Sequence, residues 1–442
     1  MEDLNYSRID KLKQPIQRFI QQEKSGGLVL GISVIIALIL ANSGCAEAYH
    51  HFFENHFGFV FNGQNYFNFS LHHWINDGLM SIFFFVVGLE LKREIVAGEL
   101  ANPRKALLPI IAAIGGMIIP AIIYLFLNPS GEVSKGWGIP MATDIAFALG
   151  VLYLLGNRIP LSLKVFLTAL AIVDDLGAVL VIAFFYTSDI SFTSLGFGFF
   201  FLLLMYLANR AGMRSTLFYA ILGIFGVWIA FLLSGVHATI AAVLAAFVMP
   251  SGVKIKENAY IHRISSYLSQ FKQADANDNV PTLTNQQLHI LEEISEDTNL
   301  AIPPLQKLEH ALHPWVTFFI IPVFAIANAG VSFLDLEMDT LFNTHVALGV
   351  GLGLLVGKVV GVVGFTWASI KLKITPQPEG MTFSNLLGLG LLAAIGFTMS
   401  LFVTSLAFSH ELYMTQAKIG IFCASLIGGV LGYLVLSRNN KN

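Results

Sequence analysis

Charge is what this chain has least of. Asp, Glu, Lys and Arg make up 12% of its 442 residues, against 55% hydrophobic residues. That is about half the charged fraction of an ordinary soluble domain. The balance excludes a soluble globular protein and leaves a polytopic membrane protein; no nucleic-acid partner is expected. Cysteine is nearly missing too. Cys45 and Cys423 lie far apart, in or beside apolar runs, so no disulfide framework is indicated. There is no His-Glu-x-x-His zinc motif, and His310-x-x-His313 alone is a weak metal signal. The Gly-x-Gly-Asp context of an intramembrane aspartyl protease is also missing. Neither enzymatic activity nor a cofactor is expected.

The chain has long apolar runs in place of charge. Twelve are read as membrane spans, at roughly 26–44, 71–97, 106–127, 134–157, 161–185, 192–208, 215–233, 236–250, 313–332, 345–370, 383–407 and 415–437. About 25 polar residues precede the first run, which is long for a signal-peptide n-region. Asn42 stands where a lipoprotein cleavage site needs an aliphatic residue. The first run is therefore read as a retained span, with Pro15 to Lys24 as an interfacial helix before it. With the N-terminus placed in the cytoplasm, all lysines and arginines fall on that side except Lys135, Lys418 and the intramembrane Lys358. This bias sets the orientation and puts both termini inside.

The expected organisation is a cytoplasmic N-terminal segment (1–25), eight spans (26–250), a polar cytoplasmic insertion (251–312), four spans (313–437) and a short tail (438–442). Outside the membrane, alternating aromatics around Asn62-Gly63 mark a β-hairpin at about 57–69. It either pairs with the same hairpin of a second protomer or lies flat on its own. The insertion, with its run Ala274-Asp-Ala-Asn-Asp-Asn279, reads as partly disordered and peripheral.

Four ionisable residues share midplane depth: Asp144 in span 4, Asp174 and Asp175 in span 5, and Lys358 in span 10. Each costs about 3 kcal/mol on the gentlest insertion scale, which favours one shared functional site. Asp77 lies about a third of the way into span 2. Spans 4 and 11 also carry glycine, proline and threonine near their centres: Gly136, Gly138, Pro140 and Thr143 in one, Gly388, Gly390, Gly396 and Thr398 in the other. Unwound backbone at that depth is tolerated where it lines a cavity. Discontinuous helices at corresponding positions of two halves point to a transporter site. Spans 3–5 and 10–12 would then be inverted repeats, with spans 4 and 11 crossing.

Broken helices bring half-helix ends, each with about half a unit charge, into the low-dielectric core. Asp144 beside the positive ends and Lys358 beside the negative ends would compensate them; direct ion ligation by Asp144 is the second reading. Neighbouring helical residues diverge by about 100°, so one aspartate of the pair can face a cation cavity while the other meets Lys358. Buried, mutually repelling carboxylates hold protons tightly enough to compete with sodium, giving exchange at one oxygen-rich site. The alternative is a proton-shared or lysine-neutralised pair that only holds helices together.

The segments Val87–Glu94, Ala142–Gly150, Ala171–Gly177, Gly235–Thr239, Leu308–Trp315 and Ala393–Ser400 closely resemble those of the bacterial NhaA sodium/proton antiporters, from about residue 15 to 437. That family is itself a type example of inverted-repeat transporters. The resemblance implies an electrogenic antiporter of the bacterial inner membrane that expels Na+ (or Li+) in exchange for H+. Asp175 would be the principal cation ligand and Asp174 its partner, interacting with Lys358. Thr143 and Asp144 would sit at the crossing. Glu90, Arg93, Glu94, Glu309, His310 and His313 match the cytoplasmic funnel to which the family's pH response is attributed; a helix-end salt-bridge cluster is the other reading of them. Asp77 matches a position of less settled role, and His237 reads more readily as a satisfied interhelical histidine than as a sensor. A homodimer through the hairpin is expected. The insertion is longer than the family's usual loop. The rival within transport is a sodium-coupled symporter of a small organic anion.

Overall fold

A computed structural model describes residues 24–61, 64–187, 190–274, 282–332 and 345–439. The chain is mostly helical, with one two-stranded antiparallel sheet among the described residues. In chain order the helices and strands are α1 (Lys24–Ala41), α2 (Ala46–Glu54), β1 (His56–Phe61), β2 (Gln64–Ser70), α3 (Met80–Ala97), α4 (Pro103–Leu127), α5 (Ile145–Leu154), α6 (Leu161–Phe185), α7 (Phe192–Arg210), α8 (Thr216–Leu232) and α9 (Ala238–Val248). They continue with α10 (Glu257–Ala274), α11 (Asn285–Ala301), α12 (Pro304–Asn328), α13 (Val346–Lys371), α14 (Phe383–Ala393), α15 (Phe397–Ala407) and α16 (Glu411–Asn439). Seven helices among the described residues are long and apolar enough to cross a membrane, or nine if each bent pair counts as one span. The bent pairs are α1 with α2 (111°) and α14 with α15 (44°).

Local chemistry sets several starts. Asn102 caps α4, its side chain accepting from the Arg104 amide at 3.0 Å, and Pro103 occupies the first turn, where no amide donor is needed. Pro109 and Pro120 then stand inside α4, which removes two ladder donors. Helix α4 packs closely along α13 because Gly115 and Gly116 face Gly361 and the Lys358 stem; a Cβ on Gly116 would lie 3.7 Å from Lys358 Nζ. Small residues at such a contact let two backbones approach. Helix α9 lies along α3, and α14 along α16.

Three features differ from the sequence reading. Span 1 ends at Ala41, and the chain turns sharply into α2, a helix that was not anticipated. The described residues of the 251–312 segment form two helices, α10 and α11, that pack on each other, while 275–279, in the run read as partly disordered, lie outside the described residues. A capping box at Thr284 and Gln287 starts α11, and Arg263 reaches the buried Asp297 at 3.0 Å. Residues 304–312 belong to α12, which starts at Pro304 and runs on through Trp315. The ends of the α10–α11 pair are tied down by Arg214, whose guanidinium donates to the carbonyls of Gly252 (2.8 Å), Leu300 (3.3 Å) and Ile302 (3.0 Å).

The strands β1 and β2 pair Phe57 with Phe69 and Phe59 with Tyr66, with an irregularity between Phe57 and Phe59. The turn at Asn62-Gly63 and the interfacial segment 15–23 lie outside the described residues. The sheet's base docks on the helix that follows: Trp74 Nε1 donates to Phe57 O at 2.9 Å, and Phe69 stacks on His73. Further out, Phe59 and Val60 are 61% and 71% exposed.

Candidate functional site

Two interruptions in the helices meet. In the first, a tight 3-10 helix (Glu132–Met141) gives way to extended backbone before α5 begins at Ile145. In the second, α14 stops at Ala393 and α15 restarts at Phe397. The Thr143 hydroxyl donates to Ala393 O at 2.9 Å, and the Asp144 amide donates to Ile395 O at 2.7 Å. Ser400 Oγ donates to Ile139 O at 2.8 Å. Gly396 is required by this approach, since a Cβ there would stand 3.0 Å from Ala142 O and 2.8 Å from Leu354.

Asp144 joins the two restarts. Its Oδ1 accepts from the Phe147 amide (2.9 Å), capping α5, while its Oδ2 accepts from the Thr398 amide (3.0 Å) and hydroxyl (2.5 Å) at the start of α15. One carboxylate therefore satisfies orphan donors of two half-helices and faces two positive helix ends. Thr398, which sequence reasoning noted only as part of a glycine-containing break, supplies half of this cap. A hydroxyl two residues after a mid-membrane glycine was the available signal.

Asp174 and Asp175 lie mid-way along α6, each 1% exposed. They diverge, as adjacent helical residues must. Asp174 Oδ2 accepts from Lys358 Nζ at 2.5 Å, and both side chains are fully enclosed. Asp175 instead lines a cavity of about 290 Å3 together with Asp144, Thr168 and Thr398. Glu90 and His313 line the same cavity. Asp174 Oδ1 and Asp175 Oδ1 are buried and have no hydrogen-bond partner among the described residues. A buried carboxylate oxygen with no donor is open to a proton or a small hard cation.

The charged group beside Glu90 is drawn from two helices. Arg93 reaches Glu94 (3.1 Å), Glu309 (3.3 Å) and Glu90 (3.9 Å), so α3 and α12 are bridged by one guanidinium among three carboxylates. His310 is exposed and is not part of the cavity lining. Asp77 and His237 lie outside this cavity as well. Asp77 pairs with His73 at 3.3 Å on a widened turn, Trp74–Leu79, and the His237 ring meets Tyr186 O at 2.6 Å. The spacing of His73 and Asp77, four residues apart on a helix, could have identified this pair.

Long apolar helices, two touching breaks and buried carboxyls at their junction define a multi-pass membrane protein. The chain matches the family model described as "Na+/H+ antiporter 1" over residues 17–436, and it belongs to that family. It is 49% identical to the Na+/H+ antiporter NhaA of Oleidesulfovibrio alaskensis, over 97% of this chain and 94% of that one. It is 46% identical to the Na+/H+ antiporter NhaA 2 of Syntrophotalea carbinolica, over 98% of each chain. Its identity to the Na+/H+ antiporter NhaA of Wolinella succinogenes is also 46%, over 96% of this chain and 93% of that relative.

Proposed function

We propose that this protein is an electrogenic sodium/proton antiporter, also able to carry lithium, of the bacterial inner membrane. Sodium and protons compete for the Asp174–Asp175 pair. The observation that carries this reading is the division of labour within the pair: Lys358 holds Asp174, while Asp175 faces the cavity with an unpartnered oxygen. A sodium ion there draws on Asp175 and the neighbouring oxygens of the site, Thr143 and Asp174 among them; protonation of the carboxyls removes the charge that binds it. Asp144 and Lys358 balance the helix ends. Glu90, Arg93, Glu94, Glu309, His310 and His313 form the cytoplasmic mouth whose protonation sets the working pH.

This reading takes nine spans from the long apolar helices and adds 71–97, α8 and α9, for twelve. Spans 3–5 and 10–12 are inverted repeats whose broken members, the Glu132–Leu154 and 383–407 segments, cross at Thr143–Asp144 and Ala394–Gly396. Both termini are then cytoplasmic. The breadth of family likeness favours antiport over sodium-coupled symport of an organic anion, since the relatives' names specify Na+/H+ antiport over nearly the whole chain.

The test is sodium-evoked collapse of a preset pH gradient in proteoliposomes. Wild type is expected to respond; Asp174→Asn and Asp175→Asn are expected to abolish the response while eluting as folded protein. Full exchange by Asp175→Asn would overturn the proposal. Sodium uptake that depends on an added organic anion would favour symport.

A further inference from the structure

A second cavity, of about 890 Å3, opens between the first turns of α4 and α6 and the 376–380 segment. Its size falls within the range of small-molecule sites, about 300–1,000 Å3. Its chemistry divides into two parts. Two cations, Arg104 and Lys105, and two carboxylates, Glu99 and Glu379, line it together, while Leu108, Val165 and Phe166 form an apolar floor. Among the charged groups, Lys105 and Glu99 make a loose contact of 3.6 Å, with 64% and 43% of their side chains exposed. Such a pair contributes little and is easily exchanged for a ligand.

The surroundings place this cavity where headgroups meet hydrocarbon. Leu161, which lines it, is 75% exposed, and the nearby Leu372 and Ile374 are 70% and 54% exposed. Lys371 Nζ sits 4.4 Å over the Trp367 ring one turn before this segment. Exposed leucines beside tryptophan and lysine are the signature of a membrane interface. Pockets between spans at that level take lipid headgroups.

We propose that this cavity binds a zwitterionic phospholipid bearing a primary ammonium, a phosphatidylethanolamine. The phosphate is drawn to Arg104 and Lys105, the ammonium to Glu99 and Glu379, and the glycerol end and first acyl carbons rest on the apolar floor. A lipid with one net negative charge leaves the two carboxylates facing it unmatched. A choline headgroup has the right charges but no N–H donors, whereas a primary ammonium has three. The bound lipid wedges the start of α6, which carries the aspartate pair, against the start of α4, which packs on the Lys358 helix. The proposal does not depend on which ions the protein moves.

The experiment uses purified, delipidated full-length protein in detergent. It is titrated with phosphatidylethanolamine, phosphatidylcholine or phosphatidylglycerol of identical acyl chains, and retained lipid is read by native mass spectrometry. Wild type is expected to retain the ethanolamine lipid about tenfold better than the choline lipid, the scale of one charge-assisted hydrogen bond. Glu379→Gln, at an exposed position, is expected to remove that tenfold preference, whereas Arg104→Gln, also exposed, is expected to cut retention of both lipids about tenfold, because both carry the phosphate. Equal retention of the ethanolamine and choline lipids, preference for phosphatidylglycerol, or an ethanolamine preference untouched by Glu379→Gln would each overturn the proposal.

Discussion

Lys358 Nζ lies 2.5 Å from Asp174 Oδ2, and both side chains are 1% exposed. An ion pair sealed this deeply costs desolvation that its attraction only partly offsets. Removing one partner leaves an uncompensated charge, a change that costs about 3–5 kcal/mol in buried pairs. Lys358→Ala should therefore lower both the melting temperature and antiport. Asp174→Asn combined with Lys358→Met should restore melting in a thermal scan without restoring exchange. A single substitution that melts like wild type would show that the pair has no stabilising role.

Competition also fixes the sign of the pH dependence. Acidification protonates the carboxyls and removes the negative charge that holds sodium, so apparent sodium affinity must fall as pH falls. On the acidic limb the apparent sodium dissociation constant should rise about tenfold per pH unit for each proton displaced, by linkage. Electrogenic currents on solid-supported membranes, measured over a range of sodium concentrations and pH values, provide the check. Affinity that stays constant through that limb is incompatible with a shared site.

The exposed strand β1 offers a separate test. Phe59 and Val60 project 61% and 71% of their surface while the hairpin's base is anchored by Trp74 and His73. An exposed apolar strand is a template for pairing with another copy. Phe59→Ser with Val60→Ser should convert a dimer to monomer by light scattering in detergent, with antiport in vesicles at high protein density largely retained. A dimer that survives the double substitution would mean that the contact lies elsewhere.

Much of the site was legible because burying charge in a membrane is costly enough to be informative. Asp144, Asp174, Asp175 and Lys358 stand out against apolar neighbours, and helical geometry alone requires the adjacent aspartates to face different ways. The structure gives them those different faces, one toward Lys358 and one toward the cavity. The same penalty does not operate outside the bilayer. Polar composition in 251–303 is shared by disordered chain and by surface helices, so α10 and α11 were not readable from polarity. Their capping box at Thr284 was the local sign, and the Arg263–Asp297 contact depends on tertiary packing. Helix α2 was hidden for a related reason: it is a short amphipathic piece next to a long apolar run. His310 and His313 are three residues apart on α12, yet only His313 lines the cavity while His310 is exposed, a difference that residue spacing alone did not foretell.

Arg214 gathers three carbonyls from the two stems of the α10–α11 pair, so this appendage joins the helical body through one narrow neck. A unit joined in this way is a natural attachment point: the exposed surface of α10 can carry a fluorescent reporter or an affinity handle with little disturbance below. Its exit strand passes directly into the helix that bears Glu309. A probe placed there would report movement of that helix without lining the cavity.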